Sequence, residues 1–489
     1  MAKAAKPLGD MTPEEFRRHG HALVEWIATY FEQVESYPAL SAATPGDLVR
    51  ALPADAPVDG EPFERVIEDL DRLILPATTH WNHPGFFAYF AITGSAPGVL
   101  MEFVSAALNQ QAMLWRTSPA ATELEEVVLR WLARLMHLPD AFDGVIYDTA
   151  SISTMHALAA ARERALPGVR TKGLAANPAF TRGTVYCSEH AHSSVDKAVI
   201  ALGLGHESLR KIRGDARYTL ATAELARAIR ADREAGCTPV AVVATVGTTS
   251  STSVDDVASV AGICERESVW LHVDAAYAGV MAMVPGFEWV RAGFDRADSV
   301  VVNPHKWLFT PFDLSVLFTR RMDVLREAFS LVPEYLKTSE APTVRNLMDT
   351  GLQLGRRFRA LKLWAILRYF GADGLRARLK HHCDLAQLFA GWVDADPDFT
   401  RVAPVPFSVV CFRATPAGFA GDAAAVDRLN ERILERVNRS GDVFLSHTKL
   451  NGQHVIRLAI GHIRTEERHV RRAWELLRES CRLESAVQH

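Results

Sequence analysis

Cysteine is scarce in this chain of 489 residues, and the six thiols at 187, 237, 264, 383, 411 and 481 form no CxxC pair. That argues against a zinc knuckle or a disulfide framework and points to a reducing, cytoplasmic setting. A long uninterrupted apolar run is also missing. The longest uncharged stretch, residues 84–101, is interrupted by Pro84, Gly85, Gly94, Pro97 and Gly98, so it reads as a buried, loop-rich segment and not as a membrane span. The opening "MAKAAKPLGD" has two lysines but no apolar core behind them, unlike a secretory signal. Excess charge is lacking too: a formal net charge of −4 provides no basic field to gather nucleic acid or anionic lipid. "GRRFRALK" (355–362) is basic, but four cations on a helical segment read as a solvated face. Absent motifs exclude further classes. "LGLGH" (202–206) lacks the third glycine of a dinucleotide fingerprint, no Gly-rich loop carries a Walker lysine, and there is no HExxH. No carboxylate or cysteine completes a metal-ligand set around His190 and His192, so no metal is expected.

What is present is a pattern of alternating elements. The length suggests two or three domains. Thr12, Pro13 and Glu15 form a capping-box start, followed by apolar residues at helical spacing: Phe16, Leu23, Trp26, Ile27, Tyr30, Phe31 and Val34. "TPGD" (44–47) and "LPADAPVDGEP" (52–62) read as linkers. The middle alternates short apolar runs, "GVIY", "GTVYCS", "PVAVVATVG", "SVWLHVDA", "SVVVN" and "LSVLFT", with helical stretches such as 151–165, 221–235 and 254–266. Continuous Val/Ile-rich strands separated by helices indicate a mostly parallel sheet covered on both faces. After about residue 371 the pattern becomes a smaller α+β domain. The expected domains are a helical N-terminal segment (1–95), a large α/β domain (96–371) and a small C-terminal domain (372–489).

Three strand ends carry chemistry. "WLHVDAAYAG" ends a strand with Asp274, "SVVVNPHKW" ends the next with Asn303, His305 and Lys306, and "GVIYDTASIST" places Thr149, Ala150 and Ser151 where a helix begins. In parallel sheets ligands bind beyond the carboxyl ends of the strands. There the three supply a buried acid, a buried amine and a hydroxyl-rich helix N-terminus that favours phosphate. Singly each is ordinary: a lysine beside a tryptophan usually snorkels, Asp274 alone reads equally as a structural carboxylate, and TAS alone as a helix cap. Together they match one small molecule, pyridoxal 5′-phosphate (PLP). Its aldehyde forms an imine with lysine, its ring nitrogen pairs with an acid, and its phosphate needs donors. His192 ends another strand; a surface or capping role is the plainer reading, and stacking on the pyridine ring is the cofactor reading. Thr245, at the end of "VAVVAT", faces the same edge.

The motifs "NPHKW", "LHVDAAYAG", "AHSSVDKA", "HPGFFAYF", "SPAATELE", "EYLK" and "LGRRFRALKLW" resemble the group II PLP-dependent amino-acid decarboxylases, and aromatic-L-amino-acid decarboxylase in particular, in register from about residue 12 to 480. The resemblance implies the aspartate-aminotransferase-like type I fold, working as a homodimer with active sites at the subunit interface. It implies that Lys306 bonds the cofactor, Asp274 holds the ring nitrogen and His192 stacks on the ring. Thr149, Ala150, Ser151, Asn303 and His305 would serve the phosphate, Ala276 would pack under the ring, and Thr245 would sit near the phenolic oxygen. Tyr335, in "VPEYLK", would give Cα its proton from a loop closing over the partner subunit's substrate. Relatives that release aldehydes tend to replace this tyrosine or the stacking histidine; this chain keeps both.

The chain also departs from the family pattern. "YDTAS" stands where relatives read more like "QGSAS", putting the Asp148 carboxylate beside a dianionic phosphate, so it must point away or find a cation. Ala91 and Ile92 replace Pro-Thr, which removes a hydroxyl, and Gln111 and Met113 replace an isoleucine and a phenylalanine of the aromatic pocket. Gln111 needs a hydrogen-bond partner if buried, for instance on the substrate; Met113 reads first as adaptable packing. Trp81, Tyr89, Phe90 and Trp307 offer aromatic surface, while Leu354 and Gly355 line the expected pocket and Gly355 leaves room. The expected activity is decarboxylation of an L-amino acid, aromatic by these residues, to its amine. The alternatives are an aromatic aldehyde synthase, a decarboxylase of a different, non-standard amino acid, or a cofactor-binding scaffold without activity.

Overall fold

The computed structural model describes residues 9–174, 181–331, 344–417, 419 and 421–486. The first helix, Pro13–Gln33, starts at the expected capping box: Thr12 Oγ1 accepts from the Glu15 N–H at 3.2 Å, and Glu15 Oε2 accepts from the Thr12 N–H at 2.9 Å. Its apolar stripe is only partly covered, and Phe16 and Val24 remain exposed. The N-terminal segment also contributes a short strand, β1 (Phe86–Phe87).

A seven-stranded sheet forms the centre of the chain. Its strands are β2 (Asp143–Tyr147), β3 (Gly183–Ser188), β4 (Leu209–Ile212), β5 (Thr238–Thr245), β6 (Trp270–Asp274), β7 (Ser299–Val302) and β8 (Ser315–Thr319), in the spatial order 2-8-7-6-5-3-4. All neighbours are parallel except β8, which runs antiparallel to both β2 and β7. Successive side chains of a strand point to opposite faces, and here both faces are apolar. Val145, Ala241, Val243 and Val301 join one core, while Ile146, Val242, Ala244 and Val300 join another across the sheet. The two cores explain the unbroken apolar runs in the sequence. Helices Ala150–Ala165, Thr222–Glu234 and Val257–Glu267 fall within a few residues of the expected spans. β4, "LRKI", was not anticipated, because two charges dilute its apolar signal.

The C-terminal sheet orders β1 beside β11 (Phe444–Leu450), then β12 (Gln453–Ala459), β10 (Val409–Ala414) and β9 (Phe399–Arg401). β1 pairs in parallel with β11, so residues before 95 complete the small sheet. A helix spanning Ala360–Ala395 links the two sheets and bends at Gly371, whose φ of 64° suits glycine. No helix among the described residues is long and apolar enough to cross a membrane.

Candidate active site

The strand ends bring the chemistry together because the register aligns them. Thr245 of β5 lies opposite Asp274 of β6, and Asp274 lies opposite Val301 of β7, one residue before that strand ends. Proline at the first turn then starts the short helix Pro304–Trp307, which carries His305 and Lys306. β2 leads through Asp148 into Thr149, the cap residue of Ala150–Ala165, and β3 leads to His192. A cavity of about 210 Å³ is lined by Thr149, Ala150, Ser151, His192, Thr245, Asp274, Ala276, Asn303, His305 and Lys306, with Phe90 and Ile92 on its wall.

Burial drives the electrostatics. It pulls the Lys306 ammonium below the usual lysine range, an effect that Asp274 opposes and Arg457 reinforces. Burial likewise lowers His192, against the pull of Asp274, so its imidazole is neutral at pH 7. His305 falls to about 3, again chiefly through burial and then through the Lys306 charge. Its Nδ1 accepts from the Leu314 N–H at 2.9 Å, which leaves the proton on Nε2. His192 Nδ1 accepts from the Ser194 N–H at 3.1 Å, and Asp274 Oδ1 from the Ala276 N–H at 3.1 Å, so both side chains are fixed by local backbone. Lys306 Nζ lies 5.3 Å from the Phe90 ring centre.

Several lining residues were missed from sequence: Ser194, Gly247, Thr249, Tyr277 and Phe312. Gly247 was legible in principle, as a glycine just after a strand end; here its φ is 90°. Asp255 was missed as well. This buried carboxylate braces the strand end, accepting from the Thr245 N–H at 2.8 Å and the Leu220 N–H at 2.7 Å.

Other expected residues sit elsewhere. Trp307 is fully buried behind the cavity, stacked on Tyr277 at 4.6 Å and donating from Nε1 to His382 Nδ1 at 2.9 Å. It supports Tyr277, which in turn stacks on Phe90 at 3.8 Å. Trp81 and Tyr89 stack on each other at 5.8 Å, outside the cavity lining. Gln111, Met113, Leu354 and Gly355 do not line it within one chain. Gln111 has an internal partner: its Oε1 accepts from the Arg356 N–H at 2.7 Å. Met113 packs beside Leu114 and Met348. Tyr335 lies outside the described residues.

The residues present fit PLP. Thr245 Oγ1, Asn303 Oδ1 and Ser194 Oγ are buried at or beside the cavity and have no hydrogen-bond partner among the described residues. An unmet buried polar atom costs about 1–3 kcal/mol, so three of them favour a polar ligand. The helix N-terminus at Thr149–Ser151 suits its anionic end, Asp274 a protonated ring nitrogen and Lys306 an aldehyde. Fold and cavity together define the class, a PLP-dependent enzyme of type I fold.

Comparison with known proteins narrows the class. The model of the pyridoxal-dependent decarboxylase conserved domain matches residues 45–415. Tryptophan decarboxylase TDC2 of Camptotheca acuminata is 40 % identical over 481 residues, covering 96 % of this chain and 95 % of that protein. Phenylacetaldehyde synthase of Arabidopsis thaliana is 40 % identical over 488 residues, covering 98 % of each. The solved structure of Oryza sativa TDC with PLP and tryptamine has a TM-score of 0.94 and 36 % identity, covering 98 % of this chain and 99 % of that one. The chain belongs to the pyridoxal-dependent decarboxylase family, and it is a PLP-dependent carboxy-lyase.

Proposed function

We infer that the protein decarboxylates an aromatic L-amino acid to its amine, acting as a cytoplasmic homodimer. The observation that carries the substrate class is the cavity wall. Phe90, Ile92 and Phe312 face the site, and the described lining residues include no arginine and no lysine besides Lys306. A side-chain carboxylate would find no cation besides Lys306 on that wall, since Arg457 stacks 4.6 Å from the Phe90 ring centre and donates to the Ser250 and Tyr89 carbonyls, whereas an aromatic ring finds apolar surface. The similarity to tryptophan and tyrosine decarboxylases supports the same reading.

Bound PLP supplies the electron sink for the pair left on Cα when CO₂ departs. The chain's own residues do the rest. Lys306 would hold the cofactor's aldehyde carbon, and the Asp274 charge would keep a proton on the ring nitrogen. Neutral His192 would cover the ring, with Ala276 packing under it. Thr149, Ala150, Ser151, Asn303 and His305 would serve the phosphate, and Thr245 would sit near the phenolic oxygen. The Tyr335 hydroxyl delivers a proton to Cα. Retention of Tyr335 and His192 favours amine over aldehyde as product.

The dimer reading rests on two features. Gln111, Met113, Leu354 and Gly355 gather around the Gln111–Arg356 bond, away from the chain's own cavity, and in a dimer would line that of the partner together with Trp81 and Tyr89. Phe16, Val24, Leu100 and Phe103 form an exposed apolar face around a cavity of about 370 Å³ beside the first helix, the kind of surface a second subunit covers. The free thiols support the cytoplasmic setting.

The aldehyde-synthase reading is supported by the Arabidopsis phenylacetaldehyde synthase, which matches at the same identity as the tryptophan decarboxylase. One experiment separates the two. Purified protein is offered a panel of L-amino acids while CO₂, amine, aldehyde and hydrogen peroxide are scored together. Amine and CO₂ in equal amounts from aromatic substrates is the expected result, and predominant aldehyde with peroxide would transfer the protein to the second reading.

A further inference from the structure

Asp148 stands at the one position where a carboxylate adjoins the phosphate-binding turn, and the structure shows what it does there. Its Oδ1 accepts from the Thr149 N–H at 2.5 Å and from the Thr149 hydroxyl at 3.0 Å. Thr149 lines the cavity at the N-cap position of the helix Ala150–Ala165, and the next two residues, Ala150 and Ser151, line it too and carry the free N–H groups at the start of that helix. Those are the groups a phosphate seated on a helix N-terminus uses. Asp148 therefore holds a carboxylate against the Thr149 N–H and hydroxyl, one residue before the free N–H groups of Ala150 and Ser151 that suit a phosphate.

Among the described residues no lysine or arginine pairs with Asp148. Its charge acts on His156, which burial nevertheless lowers to about 4, so that ring is neutral at pH 7. The other oxygen, Oδ2, has a single weak partner, Gln353 Nε2 at 3.4 Å. Gln353 belongs to a segment tied to the same strand and helix: the Tyr147 hydroxyl donates to Thr350 O, and His156 Nε2 accepts from the Leu352 N–H at 3.3 Å.

We propose that Asp148 is a built-in competitor for the phosphate seat, which weakens cofactor retention and passes its carboxylate to Gln353 when phosphate arrives. Two consequences follow from the geometry. The enzyme exchanges PLP more readily than it would with a neutral residue at 148. Cofactor loading also tightens the Asp148–Gln353 contact beside Leu354 and Gly355. This rests on the assignment of the cavity to PLP.

The test compares two aldehydes that differ only in the phosphate. Apoprotein of the wild type, Asp148→Asn, Asp148→Ala and Gln353→Ala is titrated with PLP and with pyridoxal. Attachment is followed by visible absorbance and intrinsic fluorescence rather than by turnover. Asp148→Asn keeps an acceptor for the Thr149 N–H but removes the charge; Asp148→Ala removes both. Both should bind PLP roughly tenfold more tightly, the scale of one like charge a few ångströms from a phosphate dianion. Pyridoxal affinity should stay unchanged, and Gln353→Ala should bind PLP more weakly than wild type. PLP affinity that is unchanged or lower in both Asp148 variants, or an equal gain for pyridoxal, would overturn the proposal. Failure of wild-type apoprotein to attach either aldehyde would refute the cofactor assignment itself.

Discussion

Replacing Arg356 with methionine should strand a buried carboxylate, and the cost can be worked out from the contacts. Arg356 Nη2 lies 2.8 Å from Glu125 Oε1 and donates to Ile146 O at 2.7 Å, while Nη1 donates to Ala112 O at 3.4 Å. Glu125 also accepts from the Ile146 N–H at 2.9 Å. The two side chains are 7 % and 3 % exposed, so water cannot replace the lost partner. Removing one member of such a pair costs about 3–5 kcal/mol, most of it the uncompensated charge. At about 2.1 cal/mol/K of unfolding entropy per residue, a chain of this length has an unfolding entropy of about 1 kcal/mol/K. Arg356→Met should then lower Tm by about 3–5 °C, read by calorimetry on the holoenzyme. Adding Glu125→Leu removes the stranded charge and should recover at least half of that loss. A double variant whose loss equals the sum of the single losses, or a single variant within about 1 °C of wild type, would refute the reasoning.

Two further outcomes are expected. Asp274→Ala should cut kcat by about a thousandfold or more, the scale of losing a preorganised charge at a reacting centre, and turnover within tenfold of wild type would remove Asp274 from that role. Asp255 supplies a pH test. Burial raises its pKa from 3.8 to about 6, so the folded chain binds this proton more readily than the unfolded chain does. Its contribution is full below pH 3.8, is lost as pH rises towards 6 and is flat above that, a change of about 3 kcal/mol. Urea unfolding across this window should show wild type losing stability relative to Asp255→Asn as pH rises from 3.8 to 6; parallel profiles would contradict it.

The local pattern told most about elements and strand ends. Apolar runs marked six of the seven strands of the large sheet, because both faces are buried and every position carries the signal; β4 escaped because Arg210 and Lys211 interrupt it. Asp274, Lys306 and the Thr149–Ser151 turn stood out because each breaks a hydrophobic strand at its carboxyl end, where parallel sheets bind ligands. Composition and spacing alone thus determined a covered, mostly parallel sheet and the cofactor chemistry at its edge.

Tertiary structure decided which way neighbours of those residues face. Lys306 and Trp307 are adjacent, yet one enters the cavity and the other turns away to stack on Tyr277 and bond His382, a partner 75 residues distant. Gln111 meets the backbone of Arg356 and Asp255 braces Thr245, contacts set by packing between segments remote in the chain. The antiparallel run of β8 and the pairing of β1 with the small sheet belong to the same class. A period along the chain records how often a side chain is buried; it carries no record of which distant surface buries it, and that surface determines which side chains reach the site.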